Sequence, residues 1–295
     1  IPEKYSEKVS FGFDKKDIFS SEKEFNSPDE IAKNKFETLV SEGIQAIKNE
    51  QFKKVVLSRK EVVNLSDFDL GTVFEKLVQL YPTTFVYCFF HPKLGMWMGA
   101  TPEQLVQSQN KNIKTIALAG TKKITGTEVV IWENKEVVEQ QFVTDYIVKK
   151  LENIANEVLV SKPYSIQAGS IWHIKTDISG VLNSDSNLQQ VVCLLHPTPA
   201  VCGFPKENSK AFILENEKYN RSFYTGYLGE LNSGLETNSD CSDLFVNLRC
   251  MQIEFGEGQV AKAHLYMGCG ITKDSIPEKE WEESVNKSMT MKKAL

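Results

Sequence analysis

The chain has 295 residues, 41% of them hydrophobic and 25% charged, an ordinary globular composition. Its formal net charge of −5 excludes a general nucleic-acid binder, which needs clustered lysine and arginine. No apolar run approaches the roughly 18 residues that a membrane span needs, and no signal peptide is visible. Six cysteines stand at 88, 193, 202, 241, 250 and 269, with no CxxC pair and no zinc-ligand spacing. Such dispersed residues read as reduced thiols of a cytoplasmic protein. The first residues are Ile1-Pro2 rather than methionine, so 1–26 read as the remnant of a longer N-terminal region and 27–295 as one domain.

Along the chain, Ser27-Pro28-Asp29-Glu30 reads as a helix start, with Ser27 as cap, Pro28 in the first turn and Glu30 completing a capping box. Ile31, Phe36, Leu39, Val40, Ile44 and Ile47 continue it as an apolar stripe at helical spacing. The valine-rich stretch 53–63 reads as a strand, and 70–80 as a helix that stops before Pro82. Between Thr84 and Gly120 come four β segments, TFVYCFF, GMWMGA, QLVQS and KTIALAG. A long helix is expected over about 132–156, and strands near 163–182, 224–232, 243–255 and 258–268. Short helices fit 187–195 and 208–217, and a last helix starts near Pro277. Strands grouped in meanders, rather than strict βαβ alternation, predict an antiparallel-rich α+β fold.

Several residues could carry chemistry. On a strand, Lys54, Val56, Ser58 and Lys60 share one face. Turned inward, Lys54 meets apolar surroundings that lower its pKa and make it a usable base; on an edge it is a solvated lysine. The turn Gly99-Ala100-Thr101-Pro102-Glu103 presents one carboxyl, a general acid if its pKa is raised. Glu136 and Glu139 are spaced i,i+3 on the long helix, and Glu280 and Glu283 repeat the spacing on the last. If those two faces meet, four carboxylates converge and require a cation, and an all-oxygen ligand set favours Mg²⁺ over Zn²⁺. Glycines cluster at Gly120, at Gly226 to Gly229 and at Gly268 and Gly270, where backbone N–H groups can approach a ligand. His173 and His196 are candidate polar groups. Arg249 sits among apolar neighbours and needs an anion, supplied by the protein or by a ligand.

The motifs KVVLSR, GATPE, ALAGT, KEVVEQ, IWHIKT, LHPTPAVCGFP, RSFYTG, LRC, GCGI and EKEWEES stand in the order and approximate spacing of the chorismate-utilising enzymes. Over about residues 50–290 the chain resembles that family, which includes isochorismate and salicylate synthases and the large subunits of anthranilate and aminodeoxychorismate synthases. The resemblance implies one α+β catalytic domain of two packed antiparallel sheets flanked by helices, with the site in a cleft. It implies Lys54 as the base that activates water and Glu103 as the acid that protonates the leaving hydroxyl. Glu139 and Glu283 would bind Mg²⁺ directly, and Glu136 and Glu280 would hold the metal's waters. Thr121 and the backbone of Gly268 to Gly270 would contact the ring carboxylate with His173 beside it, and Tyr224 and Arg249 would grip the enolpyruvyl carboxylate.

Lys54 resembles the water-using members, which implies chorismate as the partner and no glutaminase subunit. Ala119 argues against aminodeoxychorismate synthases, many of which place a lysine there. The tryptophan of IWHIKT and the GFP of LHPTPAVCGFP look most like isochorismate synthases, whose product serves menaquinone or siderophore biosynthesis. A salicylate synthase and a non-catalytic chorismate-binding module remain alternatives. The chain departs from the pattern at Gln140, where a histidine is usual, and at Ser222, Met267, Cys269 and Cys202, where small residues are usual.

Overall fold

The computed structural model describes residues 29–123, 130–168, 171–233, 240–258 and 260–295. Its first element, α1 (Glu30–Lys48), begins where expected but with a different cap: the Asp29 side chain accepts from the Ile31 N–H at 2.9 Å. Ser27, Pro28 and the boundary at 26/27 lie outside the described residues. The strand β1 (Lys54–Leu65) follows, then α2 (Leu70–Leu80), capped by Asp69 at 2.7 Å from the Thr72 N–H. A four-stranded run comes next: β2 (Phe85–His91), β3 (Gly95–Thr101), β4 (Gln104–Gln109) and β5 (Asn112–Lys123).

The long helix α3 (Asn134–Leu151) is shorter than its expected 132–156, because Ala155–Val160 forms a strand, β6. That segment pairs with β8 from Val160↔Ile178 to Ala155↔Leu182, and the ladder overrides the helical reading. Then come β7 (Tyr164–Ala168), β8 (Ile171–Leu182), α4 (Leu188–Leu195) with an Asn187–Gln190 capping box, β9 (Gly203–Phe204) and α5 (Lys206–Asn216). The chain ends with β10 (Tyr227–Glu230), β11 (Cys241–Val246), β12 (Cys250–Phe255), β13 (Ala261–Ile271) and α6 (Pro277–Lys292).

The strands form two sheets, and every pairing is antiparallel. One runs β2-β3-β12-β13-β1-β9; the other runs β10-β11-β4-β5-β8-β6, with β7 also on β8. The expected single strand over 243–255 is therefore two strands in different sheets. Asn247-Leu248-Arg249 carries the chain across, and Arg249 does so in the left-handed region at φ 47°.

Helices cover the outer faces. Phe36, Val40, Val55, Leu57, Ile271 and Trp281 join α1, β1, β13 and α6 in one apolar cluster. Val143, Ile147 and Leu151 of α3 pack with Ile113, Ala117 and Ile178 of the second sheet. Tyr87, Trp97, Tyr224 and Tyr266 form an aromatic cluster, with ring centroids 5.2 Å apart for Trp97–Tyr266 and 5.6 Å for Tyr224–Tyr266. The first six residues of β1 are buried, so both of its faces are covered at the end that carries Lys54. No helix among the described residues is long and apolar enough to cross a membrane.

Candidate active site

A cavity of about 50 Å³ lies where the two sheets meet. The first sheet contributes Val56 of β1 and Gly268 and Gly270 of β13; the second contributes Gly120 of β5 and His173 of β8. Helices supply Glu139 and Lys287, and the segments that join the sheets supply Glu103, Tyr224 and Arg249. Of the positions read from the sequence, Glu103, Gly120, Glu139, His173, Tyr224, Arg249, Gly268 and Gly270 line this cavity. Lys54 stands behind Glu139. Thr121 lies in β5, but its side chain is outside the described residues. His196 is not a wall of the cavity; its Nε2 meets the Thr225 carbonyl at 2.8 Å.

Lys54 is fully buried, as an inward-facing strand position requires, but its surroundings are not apolar. Its Nζ lies 3.1 Å from Oε1 of Glu139, an ion pair without hydrogen-bond alignment. The expectation of a lone lysine among apolar groups is thus corrected: a carboxylate from α3 faces it. Gly270 makes the approach possible, since a Cβ there would collide with Oε1 of Glu139 and come within 3.1 Å of Lys54 Cε.

Glu103 is held by its backbone. Val246 N–H donates to its carbonyl at 2.8 Å, and its own N–H reaches Thr101 Oγ1 at 3.3 Å. Burial raises its carboxyl pKa from 4.5 to about 7, against the opposing pull of Lys54, Arg249 and Lys287. Across the crossover, the Arg249 carbonyl accepts from the Ala100 N–H at 3.0 Å, tying the left-handed residue to β3. No ion pair of the Arg249 guanidinium is found among the described residues. Of the two sources of the anion its burial calls for, the protein supplies no carboxylate within ion-pair distance among the described residues.

His173 places Nδ1 2.8 Å from the Gly120 carbonyl, which only accepts, so Nδ1 carries the hydrogen. Burial, then Arg249, lowers its pKa to about 3, and the ring is neutral. Nε2 is therefore an acceptor. The Tyr224 hydroxyl lies 2.8 Å from where a Cβ on Gly268 would stand. Tyr224 is held by a tight turn with Ser222 and Thr225 at φ 51° and 64°, which explains why glycine suits position 222.

Two groups stand out only in the structure. Arg221 pairs with Glu217 through Nε and Nη2, at 2.7 and 2.6 Å, and also donates to the carbonyls of Val56 and Val201, which line the cavity. Lys287 donates to Glu283 at 2.6 Å and to the Gly268 carbonyl at 2.8 Å. Its sequence signal was the i,i+4 spacing from Glu283.

Three of the four paired glutamates share an opening with Lys135, while Glu139 lines the cavity itself. Beside the cavity, an opening of about 610 Å³ is lined by Glu136, Glu280 and Glu283. Lys135 Nζ lies 2.5 Å from Glu280 Oε1. Ligand atoms of Glu280, Glu283 and Cys269 lie within 4.8 Å of one another, the one such group among the described residues. Burial, then Glu283, raises the pKa of Glu280; burial works against Glu283, but Lys287 and Lys135 hold it below the usual value. Oε2 of Glu136 and Oε2 of Glu280 are buried without a hydrogen-bond partner. Buried carboxylate oxygens in that condition call for a cation, and these donors suit a hard ion such as Mg²⁺. Cys269 does not alter that preference: burial pushes its thiol pKa well up, and Sγ donates to the Glu280 carbonyl at 3.2 Å.

Comparison with known proteins shows the family to which the chain belongs. The isochorismate synthase EntC of Escherichia coli is 32% identical over 269 residues, covering 87% of this chain and 66% of the relative. Isochorismate synthase 2 of Arabidopsis thaliana is 28% identical over 256 residues, covering 83% and 44%. The chain thus spans about two thirds of the first relative's length and less than half of the second's. A Bacillus anthracis structure, described as a 2,3-dihydroxybenzoate-specific isochorismate synthase, DhbC, superimposes with a TM-score of 0.78 at 28% identity, covering 89% of this chain and 71% of that one. A family model described as "Chorismate binding enzyme" matches residues 4–295. The chain belongs to the chorismate-binding enzyme family.

Proposed function

We propose that the chain is an isochorismate synthase, converting chorismate to isochorismate, with 27–295 as its catalytic domain. The observation that carries this reading is the cavity pair of Glu103, its carboxyl pKa raised to about 7, and Arg249, a buried guanidinium with no carboxylate partner among the described residues. The first can give a proton near neutral pH, and the second takes a substrate carboxylate.

In this reading Arg249 and Tyr224 hold the enolpyruvyl carboxylate, and the backbone of Gly268 to Gly270, with Thr121, meets the ring carboxylate. Magnesium, held directly by Glu139 and Glu283 and through its waters by Glu136 and Glu280, would draw electron density toward the ring carboxylate and make C2 more electrophilic. Lys54, once released from its pair with Glu139, takes a proton from the water that adds to C2. The ring double bonds shift, and the C4–O bond breaks as Glu103 protonates the departing hydroxyl. One water enters and one leaves, and the proton on Lys54 returns to Glu103 between turnovers. Each proton transfer contributes perhaps 10²–10⁴-fold. His173, neutral with its hydrogen on Nδ1, can accept from a hydroxyl but cannot donate to a carboxylate, so its place is beside the water or the leaving group. Water as nucleophile requires no ammonia-delivering glutaminase.

The test is product analysis of protein incubated with chorismate and MgCl₂. Isochorismate with little pyruvate is expected, and the reverse reaction should run, since one allylic alcohol is exchanged for another. Stoichiometric pyruvate with salicylate would replace the assignment by salicylate synthase. Binding of chorismate without turnover would leave a non-catalytic binding module.

A further inference from the structure

The carboxylate cluster contains a lysine that the proposed chemistry does not use. Lys135 lies in the first turn of α3, one residue before Glu136 and four before Glu139. Its ammonium reaches across to α6 and lies 2.5 Å from Oε1 of Glu280, a side chain only 1% exposed. Glu283 and Glu139 add to the field it feels. Lys54, Lys135 and Lys287 contact Glu139, Glu280 and Glu283 in turn. A divalent ion arriving among these carboxylates would meet an ammonium already seated on one of them. Lys54 and Lys287 are enclosed, at 0% and 9% exposure, whereas Lys135 is 18% exposed and lines the opening. Of the three, Lys135 has somewhere to go. Glu133, Asp274 and Glu282 line the same opening and offer a displaced ammonium new partners.

We propose that Lys135 is a tethered counter-ion of the metal site, seated on Glu280 when no metal is bound and displaced toward the opening when the ion arrives. The proposal rests on the magnesium reading above. It makes Lys135 a residue that sets the affinity for the cation: it weakens metal binding and supports the metal-free fold by joining α3 to α6. A purely structural ion pair would leave the cluster satisfied, yet Oε2 of both Glu280 and Glu136 is buried without a hydrogen-bond partner.

The experiment uses Mn²⁺ as the probe, with free and bound ion distinguished by electron paramagnetic resonance on protein stripped with EDTA. Lys135→Met keeps the length of the side chain and removes its charge. Mn²⁺ should bind this variant about tenfold more tightly, in the range of ordinary coupling between two ligands. The melting temperature of the metal-free variant should fall, and that of the metal-saturated variant should not. A second measurement needs no substitution: acylation of Lys135 in the unaltered protein, followed by peptide mass spectrometry, should be faster with saturating Mg²⁺ than with EDTA. Unaltered protein that binds Mn²⁺, with a variant that binds it no more tightly, would overturn the proposal alone. So would acylation of Lys135 that the metal leaves unchanged or slows. Unaltered protein that binds no Mn²⁺ would overturn both this proposal and the magnesium reading.

Discussion

Glu103 shows how one side chain can be costly to the fold and useful to the reaction. Its carboxyl pKa is about 7 in the folded chain against an ordinary 4.5, because burial disfavours its charge. A raised acid binds its proton more tightly when folded, so its contribution to stability is fully present below 4.5 and is lost as pH rises through about 7. Glu103→Gln should therefore abolish turnover yet stabilise the protein at pH 8, by up to ~3 kcal/mol, with little effect near pH 4.5. Denaturant unfolding at the two pH values checks the sign. If Glu103 is the acid, kcat of the unaltered enzyme should also decline above about pH 7. GATPE marks this residue in the sequence, but its hold on a proton near neutral pH comes from burial, which no local motif encodes. Lys54 was legible in the same way. Its pairing with Glu139 was not, because a distant helix brings that carboxylate there. Arg221 and Lys287 escaped notice because their value lies in backbone carbonyls they hold, those of Val56, Val201 and Gly268, and a contact with a distant carbonyl has no local pattern.

Among the elements, β13 matters most to the site. It presents Gly268 to Tyr224 and Gly270 to the Lys54–Glu139 pair. Gly270→Ala would drive a methyl group into the Glu139 carboxylate, whereas the strand itself tolerates alanine. Far-UV circular dichroism should be unchanged, while kcat/KM falls by a factor of ten or more, the loss expected when positioning slips. An active Gly270→Ala enzyme would show that Glu139 has freedom the packing does not suggest. Asp69 and Asn187 cap α2 and α4 without having been read as caps, and the one cap read from the sequence, Ser27, is not the residue that caps α1, which is Asp29. The crossover at Asn247 to Arg249 was not legible, because a left-handed turn at an arginine looks like any other strand residue. Strand β6 was misread for a related reason: its identity comes from pairing with β8, a contact outside its own sequence.

For the molecule as a whole, the antiparallel α+β class was legible because the strands come in meanders, while the allotment of strands to two sheets depends on long-range pairing. The same architecture bears on metal removal. Lys135 and Lys287 already pair with Glu280 and Glu283 where α3 and α6 face each other, so EDTA should abolish turnover reversibly while lowering the melting temperature by only a few degrees. A large collapse of the fold in EDTA would mean that the metal, not the lysines, holds those helices together. The size of the cavity has a kinetic consequence. At about 50 Å³ it has room for a few waters, whereas small-molecule sites usually offer about 300–1,000 Å³. A six-membered ring with two carboxylate arms needs the lining side chains or the crossover segments to shift before it can enter. Association should then be a gated event, slower than electrostatic encounter would allow. In stopped-flow tryptophan fluorescence, the observed rate should level off with rising chorismate concentration, the plateau reporting how often the seam opens.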